Sequence, residues 1–203
     1  MTHTQTRSIL VAVAVVAALA ARAGAQGNEK LEIRAFAVNM GNIATGANAI
    51  VQIRINSWST PEERARLVKA MQEKGNDGAL RELQKLPVHG RFNIPGLMGP
   101  DPLQLRLGHD LHYTWQEPLP EGGKRIVIAT DRYISFQEAR NQPRISDYPF
   151  TFFEIRVDKA GAGQGKVAVA TKIRWDKNKN VLELENYDTE PVRLNEVKME
   201  VKK

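Results

Sequence analysis

Leu31-Glu-Ile-Arg-Ala-Phe-Ala-Val (residues 31–38) and Ala49-Ile-Val-Gln-Ile-Arg-Ile-Asn (residues 49–56) decide the fold class. In the second stretch Val51, Ile53 and Ile55 fall on one face, and Gln52, Arg54 and Asn56 on the other. That two-residue period belongs to a strand covered on one side. The first stretch alternates in the same way, although both of its faces are partly apolar. The link between them, 42–48, is rich in Gly and Asn, as a hairpin connection requires. Two antiparallel strands therefore open the domain.

The period changes at Thr60-Pro-Glu-Glu. Thr60 has the position of a helix cap, Pro61 the first helical position, and Glu63 the place from which a carboxylate reaches back to the free cap amide. Leu67, Val68 and Met71 make one apolar stripe, and Glu62 and Arg66 can pair across a turn on the outside. Gly75-Asn76-Asp77-Gly78 breaks the helix, and Leu80, Leu83 and Leu86 mark a second short one that ends at Pro87. The spacing predicts a helical hairpin inserted at 60–86, docking its Leu/Met face on a sheet or on one end of a barrel.

From Val88 the strand period returns. Leu103, Leu105 and Leu107 alternate with Gln104 and Arg106, and Leu111, Tyr113 and Trp115 alternate with Asp110, His112, Thr114 and Gln116. Residues 125–131 are more uniformly apolar and suit a central strand. A loop-like stretch, 133–149, leads to four strands at 150–158, 166–175, 181–187 and 192–201. A four-residue loop at Asp176-Lys-Asn-Lys sets Ile173 opposite Leu182 and Lys172 opposite Glu183. The apolar parity switches between Val192/Leu194 and Val197/Met199/Val201, which predicts a β-bulge near Asn195-Glu196. About nine strands in successive hairpins give a mainly β domain, either an antiparallel barrel or a two-sheet sandwich, with the short connections favouring the barrel.

The N-terminus bears on location. Arg7 precedes an uncharged apolar run, Ile9 to Ala21, and Ala23-Gly24-Ala25 has the small-x-small pattern of a signal-peptidase site. The run is shorter than the roughly 20 apolar residues a spanning helix needs. The expectation is a signal peptide at 1–25 and a single exported domain at 26–203, periplasmic or secreted, with no stable membrane insertion after cleavage. Removing Arg7 and Arg22 leaves 27 Lys and Arg against 23 Asp and Glu, a net charge of +4. The basic residues are interspersed with acids and form no stripe with interleaved aromatics, so a nucleic-acid partner is not expected. The chain has no cysteine, which removes thiol nucleophiles and thiolate metal sites.

His109-Asp110-Leu111-His112 is the densest group of ligand-type side chains. The two histidines are three apart and point to opposite faces of a strand, so no metal site is assigned, while Asp110 and His112 share the polar face. The richer binding candidate is the loop 140–149, where Arg140, Asn141, Arg144 and Asp147 precede the aromatic pair Phe150 and Phe152. Arg140 and Arg144 can clamp a carboxylate or phosphate, or Arg144 can pair internally with Asp147. Gly161-Ala-Gly-Gln-Gly-Lys lacks the spacing and the following helix of a phosphate loop and reads as a flexible hairpin loop. Ala168 and Ala170 form a small-residue face that either leaves room for an apolar ligand or accepts the docked helices. Ser57, Ser59, Ser135 and Ser146 lie at strand ends or turns with no histidine nearby, so no catalytic residue and no cofactor is assigned.

Ile126-Val-Ile-Ala-Thr-Asp-Arg, Glu138-Ala-Arg-Asn-Gln-Pro-Arg, Asp147-Tyr-Pro-Phe-Thr, Leu184-Glu-Asn-Tyr and Pro191-Val resemble stretches of an uncharacterised family of exported bacterial β-rich proteins. The resemblance implies an exported β domain of unknown function and carries no catalytic residue across.

Three functions compete. A binding module would hold an apolar or amphipathic small molecule in the β core beneath the helical lid, lined by Phe150, Phe152, Ala168 and Ala170. A structural or interaction domain would have a filled core and meet a cell-envelope protein through 140–149. A hydrolase or isomerase would bring His112 together with Asp110 or Asp131 in one cleft. Binding ranks first, interaction second and catalysis third.

Overall fold

The computed structural model describes residues 27–40, 46–95, 108–131, 150–169, 173–176, 181–184 and 192–202. The expected signal peptide at 1–25, the alternation at 103–107, the loop 140–149 and Ala170 lie outside them. The strands are β1 (Lys30–Val38), β2 (Asn48–Ile55), β3 (Gly90–Asn93), β4 (His109–Leu111), β5 (Tyr113–Pro118), β6 (Lys124–Thr130), β7 (Thr151–Val157), β8 (Ala162–Val169), β9 (Ile173–Asp176), β10 (Val181–Leu184) and β11 (Val192–Lys202). One helical element, α1 (Pro61–Leu83), separates β2 from β3.

Nine strands form one antiparallel sheet in the order β4-β3-β2-β1-β11-β8-β7-β6-β5, and β9 and β10 pair separately. The sheet rolls into a nearly closed barrel because its two end strands are one stretch of chain. β4 pairs with β3, and after His112 the same run continues as β5 and pairs with β6. At that corner the His112 N–H donates to Ala129 O (3.1 Å), and the Thr130 hydroxyl donates to Asp110 O (2.7 Å). Closure removes the unpaired edges that an open sheet would expose.

Alternation then sorts the residues into two cores. Leu31, Ile33, Val51, Ile53, Phe92, Ile126, Ile128, Phe153, Ile155 and Leu194 are among the residues that fill the interior. Phe92 on β3 meets Phe153 on β7 across the barrel, with ring centroids 4.9 Å apart. Trp58, in the crossing from β2 to α1, joins the same cluster and donates its indole N–H to Glu29 O (2.9 Å). The barrel is thus packed with side chains, as small barrels generally are.

The second core lies outside the barrel, under α1. Tyr113, Ala129, Phe152 and Ala168 are successive partners across β5, β6, β7 and β8, a row that alternates large and small. Leu67, Met71, Ala79, Leu83 and Leu86 pack on it. Ala168 therefore accepts the docked helix, the second of its two expected roles. Thr60 caps α1 with both halves of the capping box in place. At Gly75 the backbone leaves the helical region (φ 61°, ψ −151°), a conformation open essentially only to glycine. Arg66 Nε consequently lies 3.6 Å from Glu82 Oε1, although an unbroken helix would separate these residues by ~24 Å. The two halves fold back on each other, and at Gly78 a Cβ would lie 2.6 Å from Ala70 O, so only hydrogen fits.

Three sequence expectations meet the backbone directly. The bulge is present: Glu196 has a positive φ (49°), and the register with both β1 and β8 shifts by one residue there. The β9–β10 pairing differs from expectation, with Ile173 opposite Leu184, Trp175 opposite Leu182 and Arg174 opposite Glu183. A slip of two residues preserves alternation, so the apolar-to-apolar criterion could not choose between the two pairings. The expected glycine loop at 161–166 is instead mostly strand, since β8 begins at Ala162 after a tight turn that runs from Asp158 to Gly161. Glycine suits that strand because a Cβ at Gly163 would collide with the Arg156 carbonyl oxygen.

Candidate functional site

The helix-on-barrel seam holds a partly open space of about 20 Å3 lined by Leu67, Met71, Ala79, Leu83, Tyr113, Ala129, Phe150 and Phe152. That volume is on the order of one water molecule, and its lining is wholly apolar. Phe150 and Phe152, expected to line a ligand space inside the β core, instead line this water-sized space on the outer face of the barrel. The reason is parity: Phe153 and Ile155 take the interior, so Phe152 must face α1. At the edge of the seam Tyr113 and Trp115 lie nearly parallel, with centroids 6.5 Å apart, and the Arg64 guanidinium sits 5.1 Å from the Trp115 ring. Burial pushes the Tyr113 phenol well above its ordinary value, against the lowering effect of the nearby Arg64 charge.

A second constellation forms where α1 begins. Ser57 Oγ lies 2.8 Å from His89 Nδ1, and His89 Nε2 lies 3.1 Å from Glu63 Oε2. The Glu63 oxygen also accepts the Thr60 N–H (2.9 Å), the return half of the capping box. Ser57 is exposed, whereas the side chains of His89 and Glu63 are only 5% and 12% accessible. The His89 carbonyl accepts the N–H groups of Asn56 (2.8 Å) and Ser57 (3.1 Å), and the Ser57 carbonyl accepts the Thr114 hydroxyl (2.9 Å). The serine is thereby fixed at both ends of its own peptide. This corrects the expectation that no histidine neighbours the serines. Ser57 and His89 are 32 residues apart and meet because Ile55 pairs with Gly90 once the helical insertion is looped out.

The histidine cluster of 109–112 separates. His109 stacks against Phe92 (centroids 6.2 Å apart), while His112 turns its Nδ1 to Leu86 O (3.0 Å). A carbonyl can only accept, so His112 donates there, and its Nε2 faces Asp131 Oδ1 at 3.8 Å. Asp131 also accepts from Gln84 Nε2 (3.4 Å), so His112 and Asp131 together hold the end of α1 to the barrel corner. Of the two carboxylates expected near His112, only Asp131 is close. Asp110 pairs with Arg91 across β3–β4 (3.1 Å). Among the described residues no three metal-ligating side chains converge. Arg140, Asn141, Arg144 and Asp147 lie outside the described residues.

The outer face beyond the seam carries a charge ladder. Arg125 bridges Glu117 (3.2 Å) on β5 and Glu154 (3.1 Å) on β7, and Glu154 also holds Arg156 (3.0 Å). Burial alone would raise the Glu154 carboxyl, but Arg125 and then Arg156 outweigh it and hold it below the ordinary carboxylate range.

Comparison with known proteins finds no matching family model, no matching curated protein and no matching solved structure. Among the described residues no helix is long and apolar enough to cross a membrane.

Proposed function

We propose that this chain is an exported, periplasmic or secreted module that binds an apolar or amphipathic small molecule at the seam between α1 and the outer face of β5 to β8. The observation that carries the reading is the wholly apolar space between a bent helix and a row of alternating large and small residues, on a barrel whose interior is already packed. The space as it stands is too small for such a ligand, so binding requires α1 to lift. Both ends of α1 are tied down, through Glu63 to His89 and through Gln84 to Asp131. The bend at Gly75 to Gly78 lies between these ties, and there two glycines weaken the helix. An alkyl chain entering under the bend would meet Met71, Ala79 and Phe152, and the hydrophobic gain per buried methylene is about 0.8 kcal/mol.

Titration with a medium-chain fatty acid, followed by the fluorescence of Trp115 at the seam, tests this. Saturable binding that Ala129→Leu abolishes by filling the seam, with circular dichroism unchanged, is the expected result. No saturable binding, or equal binding by Ala129→Leu, refutes it. A cell-envelope protein partner is the second reading. Phe36 and Ile50, directly paired across β1–β2, carry it, since they are 38% and 56% exposed on the barrel wall.

A further inference from the structure

We propose that Ser57, His89 and Glu63 form a nucleophile, base and orienting acid for acyl transfer from small solvent-borne esters, independently of binding at the seam. The assignment begins with the proton on the imidazole. With the carboxylate ionised and the imidazole neutral, the Nε2 facing Glu63 carries the ring proton and Nδ1 is left as the acceptor. The only hydrogen bond that Ser57 Oγ can then make to Nδ1 is a donated one, at 2.8 Å. A serine hydroxyl donating to a neutral imidazole, whose other nitrogen donates to a buried acid, is the arrangement in which the base accepts a proton as the serine attacks. The distribution of exposure matches these roles: Ser57 is an exposed residue, and the base and acid are buried behind it. The Thr60 N–H bonds the same Glu63 oxygen, so the carboxylate is fixed by the helix cap rather than free to swing. A tie made only to hold the helix to the barrel needs the Glu63–His89 bond but not an exposed serine on the remaining nitrogen.

Ser57 Oγ attacks the ester carbonyl carbon, forming a C–O bond, as the hydroxyl proton passes to His89 Nδ1. The imidazolium so formed is opposed by the Glu63 carboxylate. Collapse of the tetrahedral adduct breaks the bond to the leaving alkoxide, which takes the proton from Nδ1 and departs as the alcohol. Water, deprotonated by the same nitrogen, then attacks the acyl-serine and releases the carboxylic acid with Ser57 restored. The net reaction is ester plus water to acid plus alcohol. Ser57 and His89 are the catalytic residues, and Glu63, acting through His89, is a positioning residue.

The test is reaction of the whole protein with a fluorophosphonate probe, with mapping of the modified peptide by mass spectrometry, alongside hydrolysis of p-nitrophenyl acetate. Labelling at Ser57 and hydrolysis that Ser57→Ala abolishes are expected. Ser57 is exposed, so that variant keeps the fold. Glu63→Gln preserves the cap geometry and is expected to slow hydrolysis about 100-fold or more, within the range for impaired base catalysis. The loss should fall on kcat and leave KM unchanged, whereas a glutamate that only shaped the fold would disturb both. No label on Ser57 in folded protein, or hydrolysis undiminished by Ser57→Ala, overturns the proposal.

Discussion

Leu83→Ala separates a docked lid from a sealed core. Leu83 is 2% exposed and faces both the seam space and the barrel row. Truncation removes three carbons, worth ~2.4 kcal/mol at about 0.8 kcal/mol each. If α1 stayed in place, a new void on the order of 70 Å3 would add ~1.7 kcal/mol at about 24 cal/mol per Å3. Because α1 is a separate layer bent at Gly75, it can settle toward the sheet and recover part of that second amount. The expected loss is therefore about 2.5–3.5 kcal/mol, from the transfer cost plus a partial cavity cost. Leu194→Ala deletes the same atoms inside the barrel, where Leu194 is fully buried and hydrogen-bonded strands on every side prevent collapse. Its loss should be larger, about 4–5 kcal/mol, near the top of the range for leucine truncation. Urea unfolding of both variants with a shared m-value measures the difference. A loss below about 1 kcal/mol for Leu83→Ala would mean that α1 is not packed on the barrel. A larger loss for Leu83→Ala than for Leu194→Ala would refute the distinction between movable layer and closed core.

Three further outcomes follow from named contacts. Thr60→Ala removes the hydroxyl that accepts the Glu63 N–H (3.2 Å) and should cost about 1 kcal/mol in the same urea assay. Gly75→Ala places a Cβ where φ is 61° and ψ is −151°, and should destabilise by about 1–3 kcal/mol; a neutral or stabilising result would show that the chain does not bend there. Glu154 is held below the ordinary carboxylate range, so the stability it contributes is present above that range and is lost as pH falls through its depressed value. Glu154→Gln should therefore lower stability at neutral pH and flatten the decline on acidification. A variant with wild-type stability at neutral pH and an unchanged acid limb would contradict the Arg125–Glu154 assignment.

The fold was legible where local chemistry and tertiary packing demand the same thing. The alternation of 49–56 foretold β2 because one face of that strand is interior, and the capping box at Thr60 foretold the start of α1 because it needs only contiguous residues. The bulge at Glu196 was legible as a parity switch, since an extra residue inverts every side chain beyond it. Registers were less accessible. The two-residue slip in β9–β10 leaves alternation intact, and the glycines of β8 looked like a loop until the close approach of Arg156 gave them a purpose. The seam was half legible: Phe150, Phe152, Ala168 and Ala170 were grouped as one lining, but the face that Phe152 and Ala168 occupy depended on closure of the barrel at His112. The Ser57–His89–Glu63 group was missed because its members come from three elements. Its one sequence signal is that Asn56 and Ser57 follow β2 as His89 precedes β3, visible only to a reader who already pairs those strands.

The central claim is that a small apolar molecule occupies the seam, and native mass spectrometry of the protein recovered from its own cells tests it most directly. The account predicts an excess mass of one defined species that organic extraction removes and that protein carrying Ala129→Leu lacks. Recovery of the bare polypeptide mass, with no uptake of a medium-chain fatty acid afterwards, would contradict it.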